Sequence, residues 1–585
     1  MSISEIERNM AVYLAHPFLD LPSGTYSFSH HEILPIYSFL RDNRVILRTM
    51  NYCQTQKPSL LLKTRFVKEV VQKHELFAQT YDFASRLRQK IVEITKAITE
   101  SGVDIIFIKA FNELPLDSHN FDILMKKQNI VHAKKILEKL GFKELVRLRE
   151  PFKWFYRRVD DDLVISVHLH TKVAWEGVEF VDSDGLWDKY REIKIDDVKI
   201  GFPSSEHHLL ITVAHAFFEN QGLKLCDLMY IAEALQSGEE IDWSYIADWC
   251  VSDHWFKAFY TFLQLADHAY KSFYGERLFE EKIYKILAKK GKIDSAPAKK
   301  LIDQFDKGKN LPVKIPISAV AFVFINKVFK TSGRPLTEKI GKVSSSGWHY
   351  IKRRMPLRRE LPTSLICFSG QDGTGKTTHA KCLQNELLKT IHIMNDELVE
   401  KDFRVKYVWS RGIGLTFEPL LRIIRLLLLG NKSPSVGEYL SKRERLLKTK
   451  PVTNLWAHVI LIDELLQLLI KVKIPLLFRQ NVVCDRYIYD ALVDVECDLG
   501  QNVNKILEKI IRDLLPKPTI TFITDTEPTE IMRRKKSLEF EVVQCKRKKY
   551  LACLHGERFI LVDTKNSLQQ NKKEILSRVL ETMMT

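Results

Sequence analysis

Eight consecutive residues carry the clearest chemistry in this 585-residue chain: Gly370-Gln371-Asp372-Gly373-Thr374-Gly375-Lys376-Thr377, with Thr378 next. Their order is G-x-x-x-x-G-K-[ST], the pattern of a loop that wraps the phosphates of a nucleoside triphosphate. The glycines Gly370, Gly373 and Gly375 let the backbone N–H groups of the loop turn inward. A helix starting behind the loop adds a favourable dipole. Lys376 is suited to bridge the β- and γ-phosphates, and the Thr377 hydroxyl to ligate Mg²⁺. Gln371, Asp372, Thr374 and Thr378 complete the cradle.

A second cluster follows about a hundred residues later, Val482-Val483-Cys484-Asp485-Arg486-Tyr487. An apolar strand there ends in an acid and a base. Asp485 can hold Mg²⁺ through water or orient an acceptor. The planar fork of Arg486 fits an acceptor phosphate. After the apolar run 520–523 the chain reads Thr524-Asp525-Thr526-Glu527, without the [NT]KxD segment of guanine readers. The loop itself contains no arginine, so further positive charge must come from elsewhere, and Arg533-Arg534-Lys535-Lys536 is the candidate.

The elements that must position these groups alternate. Runs 365–368, 405–408, 482–484, 520–523 and 559–562 are short and β-rich, and long helical patterns separate them. One such helix spans 377–388. This predicts an α/β unit with a five-stranded parallel sheet flanked by helices. Ahead of it, 331–362 holds Gly333-Arg334-Pro335, Ser344-Ser345-Ser346-Gly347 and Lys352-Arg353-Arg354, and reads as a basic linker. The expected division is 1–330, a linker at 331–362, and 363–585. In the first part, the first hundred residues read as helical. Strands are expected at 104–108, 121–125 and 163–170, and helices at 128–140 and 206–235.

The run Phe368-Ser369-Gly370 through Thr378, with Asp485-Arg486-Tyr487, resembles the thymidylate kinase family. Pro518-Thr519-Ile520, Glu527-Pro528, the basic helix near Arg533, Lys549-Tyr550-Leu551 and the strand 559–563 extend the resemblance over 363–585. It implies a nucleoside monophosphate kinase fold with a mobile lid, using ATP and Mg²⁺. Lys376, Asp485, Arg486, Arg533 and Arg534 would be catalytic. Asp372, Arg411 in Trp409-Ser410-Arg411-Gly412, and Arg486 would meet the acceptor, and Thr377 and Asp485 the metal. Two positions depart from the pattern. Asp490 stands where members that take thymidylate often have serine, and Val495 where they have glutamine. The segment 417–450 is also longer than the family leads one to expect.

Ile106-Phe107-Ile108-Lys109-Ala110, Asn120-Phe121-Asp122-Ile123-Leu124-Met125, Val167-His168-Leu169-His170, His215 and Asp227 resemble a family of uncharacterised nucleotidyltransferase-like domains, over about 35–265. That resemblance implies an α+β domain with extra helices. Nucleotidyl transfer needs carboxylates for two metal ions. The three positions hold Asn120, Asp122 and Ser166, so one acid remains and the domain reads as degenerate, a binding or regulatory unit. His168, His170, His207, His208 and His215 match no standard zinc spacing and read as ordinary core or surface histidines.

The net charge of +17 suits phosphorylated substrates as well as a solvated basic surface, and no motif points to specific nucleic-acid recognition. Nine cysteines without a CxxC pair, and a charged polar start, fit reduced thiols in the cytoplasm. No apolar run is long enough to span a bilayer. Peripheral membrane contact and a homodimer are both compatible with the chain. Three functions compete: a nucleoside monophosphate kinase, a kinase of the same fold acting on another phosphorylated metabolite, and an ATP-gated regulatory protein.

Overall fold

The computed structural model describes residues 4–21, 30–52, 74–110, 120–175, 177–291, 296–330, 335–354, 363–394, 403–410, 450–500, 505–534, 539–555 and 558–584. Arg411, Lys535, Lys536 and 417–449 lie outside them. The chain forms two compact units. One comprises 1–158, 163–360 and 393–396, and the other 361–392 and 397–585 with 159–162.

The first unit holds a seven-stranded mixed sheet. Its strands are β1 (Ile106–Phe107), β2 (Asn120–Leu124), β3 (Lys143–Glu144), β4 (Lys153–Asp160), β5 (Leu163–His170), β6 (Arg191–Ile195) and β7 (Val198–Phe202). Their order is β3-β4-β5-β2-β1-β7-β6. Helices surround it, among them Glu75–Thr99, Ile130–Lys139 and Phe256–Tyr274. All eight residues of β5 are buried, as its apolar alternation with histidine allows. β4 was not among the expected strands; it turns into β5 at Asp161, which takes a left-handed φ of 57°.

Two expectations change here. The helix expected over 206–235 is broken into Ser205–Ala214, a π-turn His215–Asn220 and Leu225–Leu235. The break makes room for Gly222–Leu223 to pair with Val313–Lys314. A side chain at Gly222 would lie 2.9 Å from the Val313 carbonyl, so only glycine fits this approach. Second, the stretch read as a linker contains a helix, Leu336–Arg354, starting directly after Pro335. Proline preorganises a helix start, and the serines that follow do not prevent helix.

The second unit is a five-stranded sheet with every pairing parallel. Its strands are β8 (Leu365–Gly370), β9 (Val405–Trp409), β10 (Asn481–Asp485), β11 (Ile520–Asp525) and β12 (Phe559–Asp563), in the order β9-β10-β8-β11-β12. Each strand expected from sequence is present, one or two residues longer. β8 is central and all six residues are buried, because helices cover both faces. On one face Leu365, Cys367, Val482 and Cys484 pack against Ala457, Leu461 and Leu468 of the helix Lys450–Leu468 and Ile488 and Leu492 of the helix Ile488–Asp498. Each leucine, isoleucine or valine among them contributes roughly 1.5–3 kcal/mol of burial. The chain passes from β8 to β9 and β10 on one side and then crosses to β11 and β12 on the other, so the carboxyl ends of β8, β10 and β11 frame a crevice where the strand order reverses. The register sets Phe368 beside Asp485 and Gly370 beside Thr524.

Cys497, on the helix Ile488–Asp498, is bonded to Cys545 on the helix Phe540–Ala552, with Cα atoms 6.0 Å apart. This departs from the expectation that all thiols are reduced. Lys546 beside it bridges Asp494 and Asp498, each at 2.7 Å, which holds the two helices at this spacing. Denatured, unreduced protein should therefore titrate seven of its nine cysteines with a thiol reagent, and Cys497→Ser eight. Nine reactive thiols in the unaltered chain would show that the bond does not form.

Candidate functional site

The loop after β8 turns sharply because Gly370 has a φ of +144° and abuts β11. A Cβ there would lie 2.4 Å from the Thr524 carbonyl oxygen. Any side chain would push β8 from β11, so glycine is the one residue the turn accepts. Thr374 clasps the loop to the same strand. Its buried hydroxyl lies 2.7 Å from the Gln371 carbonyl and 2.7 Å from the Thr524 hydroxyl. The helix Lys376–Met394 begins at the end of the loop, so its first N–H groups and dipole face the site. Lys376 is buried and donates to the Gly370 carbonyl at 2.5 Å and the Gln371 carbonyl at 2.9 Å. Thr378 is exposed on the first turn.

Asp485 ends β10 with no exposed surface. Its Oδ2 accepts from the Thr377 hydroxyl at 2.5 Å and from the Tyr407 hydroxyl at 2.9 Å. Burial, then the hydrogen bond to Asp485, pushes the Tyr407 hydroxyl far up, so it stays a donor. Asp485 Oδ1 is buried and has no hydrogen-bond partner among the described residues. A buried carboxylate oxygen left free beside a P-loop threonine is what a hydrated divalent cation requires. Thr377 and Asp485 thus fit Mg²⁺.

Arg486 follows, buried, with a φ of 77° that a non-glycine residue adopts at a cost of order 1–3 kcal/mol. Its N–H bonds to the Phe368 carbonyl at 2.9 Å, which fixes the turn. Its guanidinium pairs with Asp372 and lies 3.7 Å from Asp494. Asp372 also lies 3.6 Å from Lys376. Asp372, Lys376 and Arg486 therefore meet in one cluster. Arg534 reaches the loop as well, donating to the Gly373 carbonyl at 3.0 Å. Arg533 does not. It is largely exposed and holds Glu530 at 2.7 Å, and hydrogen bonds from Arg533 and Arg534 pull Glu530 down to about 2.

The residue at the family's serine position proves to be a clasp. Asp490 is buried, and its Oδ1 lies 3.3 Å from the Gly370 N–H and 3.0 Å from the Tyr550 hydroxyl, while Oδ2 takes the Tyr487 N–H at 3.1 Å. It caps the helix Ile488–Asp498 and ties that helix to the phosphate loop and to the helix of Tyr550. Val495 is buried in the core. Neither residue presents a group that could read a base. Sequence reasoning also missed Tyr407 and Glu464. Glu464 is buried and accepts from Ser410 at 2.6 Å, one residue before Arg411. Burial raises it from 4.5 to about 7, against the opposing Ser410 bond and with a further push from Asp490.

In the first unit β2 and β5 set Asn120 beside Ser166 and Asp122 beside His168. The three positions of a two-metal site are thus adjacent, and only Asp122 is acidic. Arg157, buried on β4, donates to the Ser166 hydroxyl at 3.0 Å, placing a cation beside the position where the resemblance implies the third acid. Asp122 meets His170 at 2.7 Å, His168 at 3.3 Å, Lys109 at 3.4 Å and Lys153 at 3.8 Å. Burial would raise the Asp122 carboxyl, but Lys109, His168 and Lys153 outweigh it and hold it well below the usual range. Burial lowers His168 to about 3 and lowers His170 as well. His168 and His170 were read as ordinary histidines because the third group of the trio lies on another strand, invisible to linear spacing. His207 pairs with Ser204 and Tyr245, His208 packs on Tyr230, and His215 lies 3.3 Å from Glu219.

Comparison with known proteins bears on each unit separately. Residues 118–271 match a family described as uncharacterised nucleotidyltransferase. Over 235 residues the chain is 25% identical to a probable thymidylate kinase of Methanococcus maripaludis strain C7, covering 37% of this chain and 94% of that relative. The strain C6 protein matches to the same extent. A solved thymidylate kinase of Ehrlichia chaffeensis aligns with 37% of this chain and 99% of its own, at 20% identity and a TM-score of 0.24. The chain thus joins a stretch similar to thymidylate kinases to a nucleotidyltransferase-like domain. No helix among the described residues is long and apolar enough to cross a membrane.

The Glu464 carboxyl gives a test by pH. Its proton is held more tightly in the folded state, so its contribution to stability is complete below pH 4.5 and is lost as pH rises through about 7. Glu464→Gln should remove that loss. The variant should match the parent near pH 4.5 and exceed it above pH 7, by roughly 3 kcal/mol at most. Urea unfolding at the two pH values checks this, and equal stability of both proteins at pH 8 would contradict it.

Proposed function

We propose that the second unit transfers the γ-phosphoryl group of ATP to a nucleoside monophosphate, with thymidylate (ATP + dTMP to ADP + dTDP) the first candidate acceptor. The observation that carries this reading is the meeting of Lys376, Thr377 bonded to Asp485, and Arg486 within one crevice. A nucleotide-binding protein without chemistry needs the loop but not a buried arginine beside it.

Phosphoryl transfer needs positioning and charge neutralisation more than covalent help. The N–H groups of the loop and of the first helical turn bind the phosphates of ATP. Lys376 exchanges its two carbonyl acceptors for phosphate oxygens. Thr377 and Asp485 would hold Mg²⁺, which would supply positive charge to neutralise the phosphates. Arg486 exchanges Asp372 for the acceptor phosphate, which releases the Asp372 carboxylate toward the acceptor sugar. Arg534 donates to the Gly373 carbonyl and can add charge at the loop; by the family resemblance Arg411 would add charge at the acceptor phosphate.

A second reading, a kinase of another phosphorylated metabolite in nucleotide-sugar or surface-polysaccharide metabolism, is favoured by one observation. Asp490 and Val495 are both committed to structure, so the groups by which thymidylate kinases take their acceptor are not at those positions. We read the first unit as a binding or regulatory domain, since Arg157 and Ser166 replace part of the two-metal site.

ADP release with Mg·ATP against a panel of nucleoside monophosphates tests the first reading, and activation by none of them would overturn it. Lys376→Ala should lower turnover by ~10²–10³ in a protein that remains folded; near-parental ADP production would sink the kinase assignment. Arg486→Ala should raise the acceptor KM and lower kcat while ATP affinity holds nearly constant. Collapse of ATP affinity instead would mean that Arg486 serves the donor.

A further inference from the structure

We infer that Asp122, His168 and His170 form a binding site for one divalent transition-metal ion in the first unit. The three are buried, on neighbouring parallel strands β2 and β5, and their ligating atoms all lie within 4.8 Å of one another. His168 and His170 are two residues apart on one strand, so their rings leave the same face of the sheet. Asp122 stands opposite His168 in register, which brings its carboxylate between them.

The distances suit an ion. Tetrahedral Zn²⁺ with N and O ligands at ~2.0–2.2 Å sets those ligands about 3.3 Å from one another. Asp122 Oδ1 lies 3.3 Å from His168 Nδ1 and 2.7 Å from His170 Nε2, so a shift of half an ångström opens the space. All three side chains come from paired strands, which brings them together before any ion arrives. Two imidazoles and one carboxylate select Zn²⁺, Co²⁺, Fe²⁺ or Ni²⁺ over Mg²⁺ and Ca²⁺, which demand oxygen.

The competitors of the ion are ammonium groups. Lys109 lies 3.4 Å from Asp122 and Lys153 3.8 Å. Lys109 has a second acceptor, Glu219 at 3.3 Å, so it can yield Asp122 without becoming an uncompensated charge. Glu219 in turn is fixed by the Trp175 indole N–H at 2.6 Å. The site is distinct from the two-metal carboxylate arrangement, since Asn120 and Ser166 take no part and Arg157 holds the Ser166 hydroxyl at 3.0 Å. It is displaced along β5 from Ser166 to His168 and His170, exchanging hard ligands for borderline ones.

Titration of the tag-free, metal-stripped full chain with Co²⁺ tests the assignment. A visible d–d absorption should saturate at one ion per chain and disappear on adding Zn²⁺. Loss of an outer-shell partner typically costs ~10–100-fold in metal affinity, so loss of a ligand in His168→Ala or His170→Ala should cost at least ~100-fold. His170→Cys keeps a ligand at the position and should add a sulfur-to-cobalt charge-transfer band that the parent chain, with its other thiols unchanged, lacks. Absence of any visible band in the parent chain would overturn the inference. So would a band that His168→Ala and His170→Ala leave unchanged while His170→Cys adds no charge-transfer transition.

Discussion

The buried carboxylate of Asp485 is the constraint around which the second unit is organised. It has no exposed surface, so each of its oxygens must be matched from within the protein or by a ligand. Thr377 and Tyr407 satisfy one oxygen and thereby lock the start of the phosphate-loop helix and the neighbouring strand β9 to the end of β10. The other oxygen is buried and has no hydrogen-bond partner among the described residues. The close contact of Gly370 with Thr524 fixes the loop from the opposite side. Between these two fixed points the backbone donors and Lys376 have little freedom, which is the preorganisation phosphoryl transfer depends on.

A second constraint is the Asp490 clasp. One carboxylate serves the loop backbone, a helix cap and Tyr550 at once. Losing it would strand a buried donor on Gly370 and another on Tyr550, each costing ~1–3 kcal/mol. A residue so engaged cannot itself read the acceptor, so the group that thymidylate kinases often carry at that position is absent here. The Cys497–Cys545 bond and Lys546 hold the same helix pair further along. In the first unit the corresponding feature is one buried carboxylate, Asp122, surrounded by Lys109, Lys153 and two imidazoles.

Much of the second unit was legible because its signals are local. Five apolar runs gave five strands, and the G-x-x-x-x-G-K-T run lies where a strand passes into a helix. Asp485 and Arg486 were legible because strand ends place adjacent residues at the same crevice. What could not be read was set by distance along the chain. Tyr407, Glu464 and Tyr550 reach the site from other elements. Arg533 and Arg534 are neighbours in sequence, yet only Arg534 turns toward the loop, since helical geometry separates adjacent residues by about a third of a turn. In the first unit Asn120, Asp122 and Ser166 were identified by position, but Arg157 at Ser166 and the trio of Asp122 with His168 and His170 depend on strand pairing. The helix Leu336–Arg354 shows the limit of composition: glycine and serine mark a tether only when neighbouring residues do not favour helix.

The most direct test of the account follows the phosphoryl group itself. The full chain should be incubated with Mg²⁺, γ-labelled ATP and each nucleoside monophosphate in turn, and the products separated. The account predicts label in a nucleoside diphosphate, with thymidine diphosphate the first expected product, and none formed by Lys376→Ala. Label that remains in ATP, or appears only as inorganic phosphate with every acceptor, would contradict it.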